Sequence, residues 1–139
     1  LQTAEGLTEM MWRRKEIENY FCMESVLLAY ARHDLPDDLF GSAESGRREQ
    51  AMGEAIAQVT KLLEIDDLHP WSPDVKASDE VLDRVFKLFF KKRNLTLQLR
   101  KSDYHILAGL VPKERLDAEI TEKLDAIVVV AKKAKPRTE

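Results

Sequence analysis

The scarcity of glycine and proline is the feature of this sequence that most constrains its fold. The 139 residues include only five glycines and five prolines, whereas hairpins and tight turns depend on both residue types. Apolar residues make up 44% of the chain and charged residues 34%, which suffices for a core and a solvated surface. We therefore expect one mainly helical domain over residues 1–133, followed by a basic tail over 134–139.

Apolar residues recur at helical spacing along most of the chain. The pattern predicts helices over residues 16–32 (with a kink near Cys22), 49–65, 78–92, 102–110 and 114–133. Pro36 marks the end of the first helix, because proline cannot continue a helix and biases the preceding residue away from it. Ser78 or Asp79 is expected to cap the third helix. The last helix carries apolar residues on one face: Leu116, Ile120, Leu124, Ile127 and Val128.

The remaining segments predict loops and little β structure. Residues 41–46 are predicted to form a polar loop, and residues 66–76 a second loop around Trp71. We interpret Trp71 as an anchor that packs this loop on the core. Short strands are possible at residues 7–14 and 95–99 only. The predicted fold class is mainly α, a bundle of about five helices with at most one or two short strands.

Charge, cysteine content and motifs exclude some classes of protein. The 22 basic and 25 acidic residues give a net charge of −3, which predicts neither nucleic-acid binding nor its absence. The lone cysteine, Cys22, excludes a disulfide framework and a multi-cysteine zinc site, and we interpret it as a small buried residue. No phosphate-binding glycine motif occurs, so no bound nucleotide cofactor is expected in this chain. The chain shows no signal peptide or membrane span, and we expect a cytoplasmic protein.

The most informative charges lie between Trp12 and Phe21. Three cations there come directly before two carboxylates: Arg13, Arg14, Lys15, Glu16 and Glu18. One interpretation is a helix start, where carboxylates favour the positive end of the helix dipole. The other is a site for a hard cation, because carboxylate oxygens suit Mg²⁺ or Mn²⁺ and nearby cations suit phosphates. On a helix the two carboxylates would point about 200° apart, so only one would reach a given metal ion.

This segment resembles the R-x-E-I-E-N-Y-L signature of Toprim nuclease domains in the OLD (overcoming lysogenization defect) family of ATP-dependent endonucleases. Residues 14–21 follow the signature, with Phe21 in place of the usual leucine. The second glutamate of the signature helps to hold a catalytic metal ion in that family. The resemblance therefore implies that Glu18 binds Mg²⁺ or Mn²⁺, with Glu16 as a second candidate ligand.

A second likeness to the same family lies further along the chain. Relatives carry a lysine just before a helix, and residues 97–107 have that shape with Lys101 at the lysine position. The resemblance implies that Lys101 stabilises charge at the scissile phosphate of DNA. It also implies an early glutamate and a D-x-D motif on neighbouring strands, and this sequence shows neither. We therefore expect a C-terminal part of the nuclease domain that is inactive alone. In the full-length protein, a possible homodimer, upstream Toprim strands and an ATP-binding ABC-type ATPase domain would accompany it.

The distribution of charge along the sequence also bears on whether the protein binds nucleic acid. Residues 84–101 contain no acid and seven cations: Arg84, Lys87, Lys91, Lys92, Arg93, Arg100 and Lys101. Such a stripe can contact DNA phosphates, as can the three cations before Glu16. It can equally be a solvated helix face with cations at its C-terminus. The alternative function is therefore a non-enzymatic helical module that binds nucleic acid or an acidic partner through the basic stripe, residues 84–101.

Overall fold

The helices follow the apolar spacing of the sequence. The computed structural model describes residues 2–4, 7–94 and 99–134. Its α-helices are α1 (Glu24–Arg32), α2 (Leu39–Glu64), α3 (Asp83–Lys92), α4 (His105–Ala108) and α5 (Ala118–Lys133). A π-helix spans Ala77–Leu82, and 3₁₀ turns span Ile17–Tyr20, Lys101–Asp103 and Lys113–Arg115. The described β structure is an antiparallel pair, β1 (Gln2–Ala4) and β2 (Leu7–Glu9), with Thr3 opposite Thr8. The predicted mainly α class is confirmed.

The core lies where α1 packs on α2 and α2 packs on α3. Phe86 is at its centre, because its ring lies 5.1 Å from that of Tyr30, 6.1 Å from Tyr104 and 6.3 Å from Phe90. Leu27 of α1 and Met52 of α2 are fully buried beside it. Aromatic pairs at these separations add to the stabilisation that comes from burial itself. Among the described helices, none combines the length and the apolar composition that crossing a bilayer requires.

The start of α2 differs most from the sequence prediction. The predicted loop over 41–46 is wrong, because α2 begins at Leu39. The Asp38 carboxylate accepts a hydrogen bond from the Gly41 N–H at 2.7 Å and so caps the helix. Glu44 then pairs with Arg47 at 2.9 Å and Arg48 at 3.2 Å on the same helix. The polar residues of this segment therefore mark a solvated helix face.

The helices predicted over 16–32 and 114–133 are each divided into a 3₁₀ turn and an α-helix. The helix predicted over 16–32 becomes a 3₁₀ turn and α1, separated at Phe21–Met23, so the kink expected near Cys22 is a break between two elements. The last helix begins later than predicted, at Ala118, because the Asp117 carboxylate accepts from the Glu119 N–H at 2.9 Å and caps it there. The predicted strand over 95–99 falls on residues 95–98, outside the described residues, except for buried Leu99.

The predicted cap at Ser78 or Asp79 is also wrong. Both residues lie inside the π-helix, after Lys76. The Ser78 N–H, which a cap residue would leave free, donates instead to the Glu16 carboxylate at 2.9 Å. A side chain from a distant part of the sequence therefore replaces the local cap.

Helix α5 joins the rest of the protein through its polar residues. Its one buried residue is Glu119. The apolar face predicted for this helix does not enter the core, because no described element packs over it. Leu124 is 56% exposed and Val128 is 49% exposed.

Candidate functional site

The turn that carries Glu18 is fixed by the next residue, Asn19. Asn19 is buried, and its side-chain amide donates to the carbonyl oxygens of Ser72 at 3.1 Å and Val75 at 2.9 Å. Its side-chain oxygen accepts from the Glu16 N–H at 3.0 Å. Every polar atom of this side chain is thereby used, which favours a single geometry for the turn.

Tyr20 fixes the same turn from the other side. Its hydroxyl donates to the Glu119 carboxylate and accepts from the Arg14 N–H at 3.2 Å. The Trp12 ring meets the Tyr20 ring edge-on at 5.3 Å, and the Arg14 guanidinium lies over it at 5.6 Å. Burial, followed by the hydrogen bond to Glu119, raises the pKa of Tyr20. The Asn-Tyr pair of the signature thus anchors the turn and leaves Glu18 as its outward carboxylate.

Glu18 is partly buried, and its carboxylate has no hydrogen bond or ion pair within the described residues. The charge of Glu18 acts on Tyr104, which lies at the end of the turn Lys101–Asp103. The pKa of Tyr104 is raised to about 12, first by burial and then by the charges of Asp83, Asp79 and Glu18. The charges of Glu18, Asp79 and Asp83 thus all act on Tyr104, and the Glu18 carboxylate is without a partner within the described residues.

The Glu16 carboxylate accepts hydrogen bonds from another segment, in contrast to the Glu18 carboxylate. One carboxylate oxygen of Glu16 accepts from the Ser78 N–H at 2.9 Å and the other accepts from the Ser78 hydroxyl at 3.0 Å. These bonds join the Ile17–Tyr20 turn to the π-helix. The Glu16 carboxylate therefore holds the turn against the π-helix. Of the two candidate metal ligands, Glu18 is the more available.

Lys101 meets the same part of the surface from a third segment. Its ammonium group pairs with the Asp79 carboxylate, which belongs to the π-helix. This hydrogen bond is the main cause that raises the pKa of Lys101, and the charges of Asp79, Asp83 and Glu16 add to it. We define the Glu18 face as the partly or fully exposed charged residues brought together here: Glu16, Glu18, Asp79, Asp83 and Lys101.

Asp79 and Asp83 are the members of this face that the sequence analysis missed. Asp79 was assigned to a helix cap, and its pairing with Lys101 joins residues with no local relationship. The π-helix is the structural signal at this position, because π-helical turns are frequent at functional sites. The sequence offered only the acidic start of an amphipathic helix, which is common.

The predicted DNA-contacting cations lie apart from the Glu18 face in most cases. Arg13 and Arg14 turn toward α5, where Arg13 pairs with Glu119 at 3.5 Å and Arg14 pairs with Asp117 at 3.0 Å. Arg13 also reaches Glu122 at 3.2 Å. The backbone N–H of Lys15 donates to the carbonyl oxygen of Pro73 at 2.9 Å, and the side chain of Lys15 is exposed.

Intramolecular ion pairs also neutralise much of the basic stripe. Lys87 pairs with Asp83 at 3.1 Å and Lys92 with Glu54 at 3.3 Å, while Arg93 pairs with Glu44. Within the described residues, three stripe cations have no ion pair: Arg84, Lys91 and Arg100. The run of cations in the sequence is therefore not a run of unpaired cations in space.

The described residues fit a divalent metal ion only in part. Nowhere in residues 7–94 and 99–134 do three or more histidine, cysteine, aspartate or glutamate side chains form a group suited to a metal ion. Glu18 offers a hard oxygen ligand of the kind that Mg²⁺ and Mn²⁺ accept. Among the described residues Glu18 is thus the available candidate ligand, and the other ligands would have to come from outside them.

Cys22 and Trp71 have structural roles. The Cys22 thiol is buried and lies 3.7 Å from the carbonyl oxygen of Pro70, and burial raises its pKa to about 12. A thiol with that pKa is not a nucleophile near neutral pH. Trp71 is partly buried and packs against the core, as predicted for a loop anchor.

Comparisons with known proteins do not assign the chain to a family. No family model matches it, and neither a curated protein nor a solved structure shows significant similarity to it.

Proposed function

We propose that this chain forms one side of the active site of a metal-dependent DNA endonuclease of the Toprim type. Glu18 would be a metal ligand, and Lys101 would offset charge on the scissile phosphate. The proposal rests on the resemblance of residues 14–21 to the OLD-family signature, together with one geometric observation. The turn that carries Glu18 and the side chain of Lys101 both contact the π-helix at adjacent residues, through the Glu16–Ser78 and Lys101–Asp79 hydrogen bonds.

The side chains around Glu18 support a role in binding. The side-chain polar atoms of Asn19 and Tyr20 are all hydrogen-bonded and position the turn. The Glu18 carboxylate, in contrast, has no hydrogen bond within the described residues. Because the backbone of the turn is fixed before a metal ion arrives, only the Glu18 side chain has to be ordered when it binds. Glu16, in this proposal, holds the turn against the π-helix through Ser78.

Lys101 would act through its charge. The ion pair with Asp79 holds the Lys101 ammonium group beside the π-helix, and a lysine ammonium group is protonated near neutral pH. A phosphate approaching this face would compete with Asp79 for the ammonium group, and the exposed Lys101–Asp79 pair costs little to open. A lysine placed against developing phosphate charge lowers the barrier to phosphodiester cleavage.

A bound Mg²⁺ or Mn²⁺ ion supplies Lewis-acid chemistry, which activates water or stabilises the leaving oxygen. Toprim domains carry their other acidic ligands on strands ahead of this region, and the proposal places those strands beside the Glu18 face. ATP would act at a separate ABC-type ATPase domain of the same protein. The isolated chain would then be inactive.

The alternative is a helical module that binds nucleic acid or an acidic partner through the basic stripe. Arg84, Lys91 and Arg100, which are exposed and without ion pairs within the described residues, favour it. Lys87, Lys92 and Arg93 already face carboxylates of the same chain, so DNA phosphates would have to replace them. The alternative therefore relies on fewer free cations than the sequence suggests.

The deciding experiment measures cleavage of supercoiled plasmid by the longer protein that includes the upstream Toprim strands. Glu18→Gln should abolish Mg²⁺- or Mn²⁺-dependent cleavage, and Lys101→Met should slow it by roughly 10²-fold or more. Glu64→Gln, at an exposed glutamate at the end of α2, is the matched control and should cleave normally. Thermal unfolding of each variant should match that of the unmodified protein, since neither Glu18 nor Lys101 belongs to the core.

The results separate the two functions. Undiminished cleavage by Glu18→Gln would exclude the proposed metal role. The module would be favoured if no protein containing this chain cleaves DNA while Arg84→Glu and Lys91→Glu weaken its binding to DNA or to an acidic partner.

A further inference from the structure

A groove lies on the surface between α2 and α3, beside the core that these two helices share. We define the α2–α3 groove by the residues that line it: Gln58, Val59, Leu62, Arg84, Lys87 and Leu88. Its volume is about 430 Å³, and its lining is mostly apolar. That volume is within the usual size of ligand clefts, roughly 300–1,000 Å³.

The apolar residues of the groove come from both helices. Val59 of α2 is buried, whereas Leu62 of α2 is 46% exposed and Leu88 of α3 is partly buried. Ile65, three residues after Leu62, is 78% exposed and continues the apolar surface to the end of α2. An apolar groove between two helices is the kind of surface that accepts the apolar face of a third, amphipathic helix.

Two cations without ion pairs lie beside these apolar residues. Within the described residues Arg84 and Lys91 have no ion pair, and both side chains are exposed. They are seven residues apart on α3, so they share one side of the helix and lie about 10 Å apart along its axis. Leu88 lies between them. Glu80, one turn before Arg84, accepts instead from the Lys76 N–H at 2.8 Å.

The carboxylates that flank the groove are paired with other cations. Asp83 pairs with Lys87 at 3.1 Å on α3, and Glu54 of α2 pairs with Lys92 at 3.3 Å. These pairs are solvent-exposed and contribute little. They leave the two free cations as the charge that a partner would meet.

The combination of apolar residues and free cations favours a protein helix over nucleic acid. A DNA backbone offers phosphates to Arg84 and Lys91 but no apolar group to cover Leu62 and Leu88. An amphipathic helix with two carboxylates seven residues apart and apolar side chains between them offers both. Its carboxylates have the spacing of the two cations.

We propose that the α2–α3 groove binds an acidic amphipathic helix of a partner protein. Apolar side chains of that helix cover Leu62 and Leu88, and its carboxylates pair with Arg84 and Lys91. The proposal does not depend on the nuclease function, because neither Glu18 nor Lys101 lines the groove.

The first test measures binding of a labelled synthetic helix by fluorescence anisotropy. The probe is an alanine-rich peptide of about 20 residues, long enough to be helical, with two leucines between glutamates that are seven residues apart. It should bind with a dissociation constant of roughly 10–100 μM. The same peptide with lysines in place of the glutamates should bind about 10-fold more weakly or worse, and so should a DNA duplex of about 20 base pairs.

The second test locates the site with paired variants of the protein. Arg84→Glu/Lys91→Glu should weaken binding of the acidic peptide by about 10-fold or more, because it reverses both free charges. Its matched control, Lys113→Glu/Arg115→Glu, changes an exposed lysine and an exposed arginine outside the groove. Leu62→Ser should weaken binding by about fivefold. Leu116→Ser, at a leucine 47% exposed outside the groove, is its control. Both controls should stay within about twofold of the unmodified protein.

Failure of the acidic peptide to bind would overturn the proposal, as would equal losses in the variants and their controls. Tighter binding of DNA than of the peptide, lost in Arg84→Glu/Lys91→Glu, would overturn it in favour of a nucleic-acid surface. A loss in Leu116→Ser without one in Leu62→Ser would place the peptide site outside the groove and contradict it too.

Discussion

The Tyr20 hydroxyl donates a hydrogen bond to the buried carboxylate of Glu119, and this contact joins α5 to the turn that carries Glu18. The same carboxylate accepts from the Arg13 N–H at 2.8 Å. Glu119 therefore satisfies two donors that would otherwise be left without partners in a partly buried environment. The position of α5 and the position of the candidate metal ligand depend on one side chain.

Removing that side chain should destabilise the protein. We expect Glu119→Ala to lower the free energy of unfolding by roughly 1–3 kcal/mol, the usual cost of leaving buried polar groups unsatisfied. Urea denaturation measures the change. Glu122→Ala, one turn away at a side chain 64% exposed, should change stability by about 0.5 kcal/mol or less. Equal losses for the two variants would mean that the Tyr20–Glu119 contact contributes no more than a surface ion pair.

Replacing the buried amide of Asn19 should disturb the Glu18 turn. Asn19→Asp keeps the shape of the side chain but removes both donors to Ser72 and Val75, and it brings a carboxylate toward their carbonyl oxygens. We expect a loss of roughly 1–3 kcal/mol in the free energy of unfolding. The amide of the exposed residue Gln50 donates to Glu54 at 3.3 Å on the surface, so the matched amide-to-acid control, Gln50→Glu, should cost about 0.5 kcal/mol or less. A stable Asn19→Asp variant would show that the amide donors are dispensable.

Two glycines of α2 should respond in opposite directions to alanine. A Cβ on Gly41 would lie 1.8 Å from the carbonyl oxygen of Pro36, whereas a Cβ on Gly46 would have no neighbour within 4 Å. Gly41→Ala should therefore lower the melting temperature, because the backbone around Pro36 must move. Gly46→Ala should stabilise α2 by about 0.5–1 kcal/mol, because alanine is the better helix former. Thermal unfolding followed by circular dichroism compares the pair, and stabilisation by both would contradict the close approach at Gly41.

Glu44 should make stability depend on acid pH. Hydrogen bonds from Arg47, and further from Arg48 and Arg93, lower its pKa from 4.5 to about 2, against the opposing effect of burial. Because the folded-state pKa is depressed, its contribution is present above about pH 4.5 and is lost as pH falls toward 2. We expect Glu44→Gln to melt below the unmodified protein at neutral pH. The difference should shrink toward zero as pH falls through about 2, and a constant difference across this range would contradict the assignment.

The sequence predicts the helices better than their ends. The apolar residues of α2 and α3 recur at helical spacing, and their burial around Met52 and Phe86 follows directly. The start of α2 was missed because Asp38 caps a segment whose glycine and serine content is typical of loops. Gly41 is required there by the close approach of Pro36, which depends on the path of the chain and leaves no local pattern.

One part of the candidate site can be predicted from the sequence, and another part cannot. Glu18 and Lys101 were identified by resemblance to a family signature, and the segments that carry them contact adjacent residues of the π-helix, Ser78 and Asp79. The bonds of Glu16 to Ser78 and of Lys101 to Asp79 connect segments that are distant in sequence, so neither spacing nor composition indicates them. The apolar residues of α5 were recognised as a face, but the sequence alone does not show whether a face packs inward or outward.

The paired cations have a consequence for how quickly a polyanion would find this protein. Arg13, Arg14, Lys92 and Arg93 each lie beside a carboxylate, so their fields cancel over distances comparable to the Debye length of about 8 Å at physiological ionic strength. Electrostatic steering needs an uncompensated field that extends further than this. A polyanion such as the DNA of the proposed function would therefore meet this surface at an ordinary diffusive rate, with little acceleration at low salt.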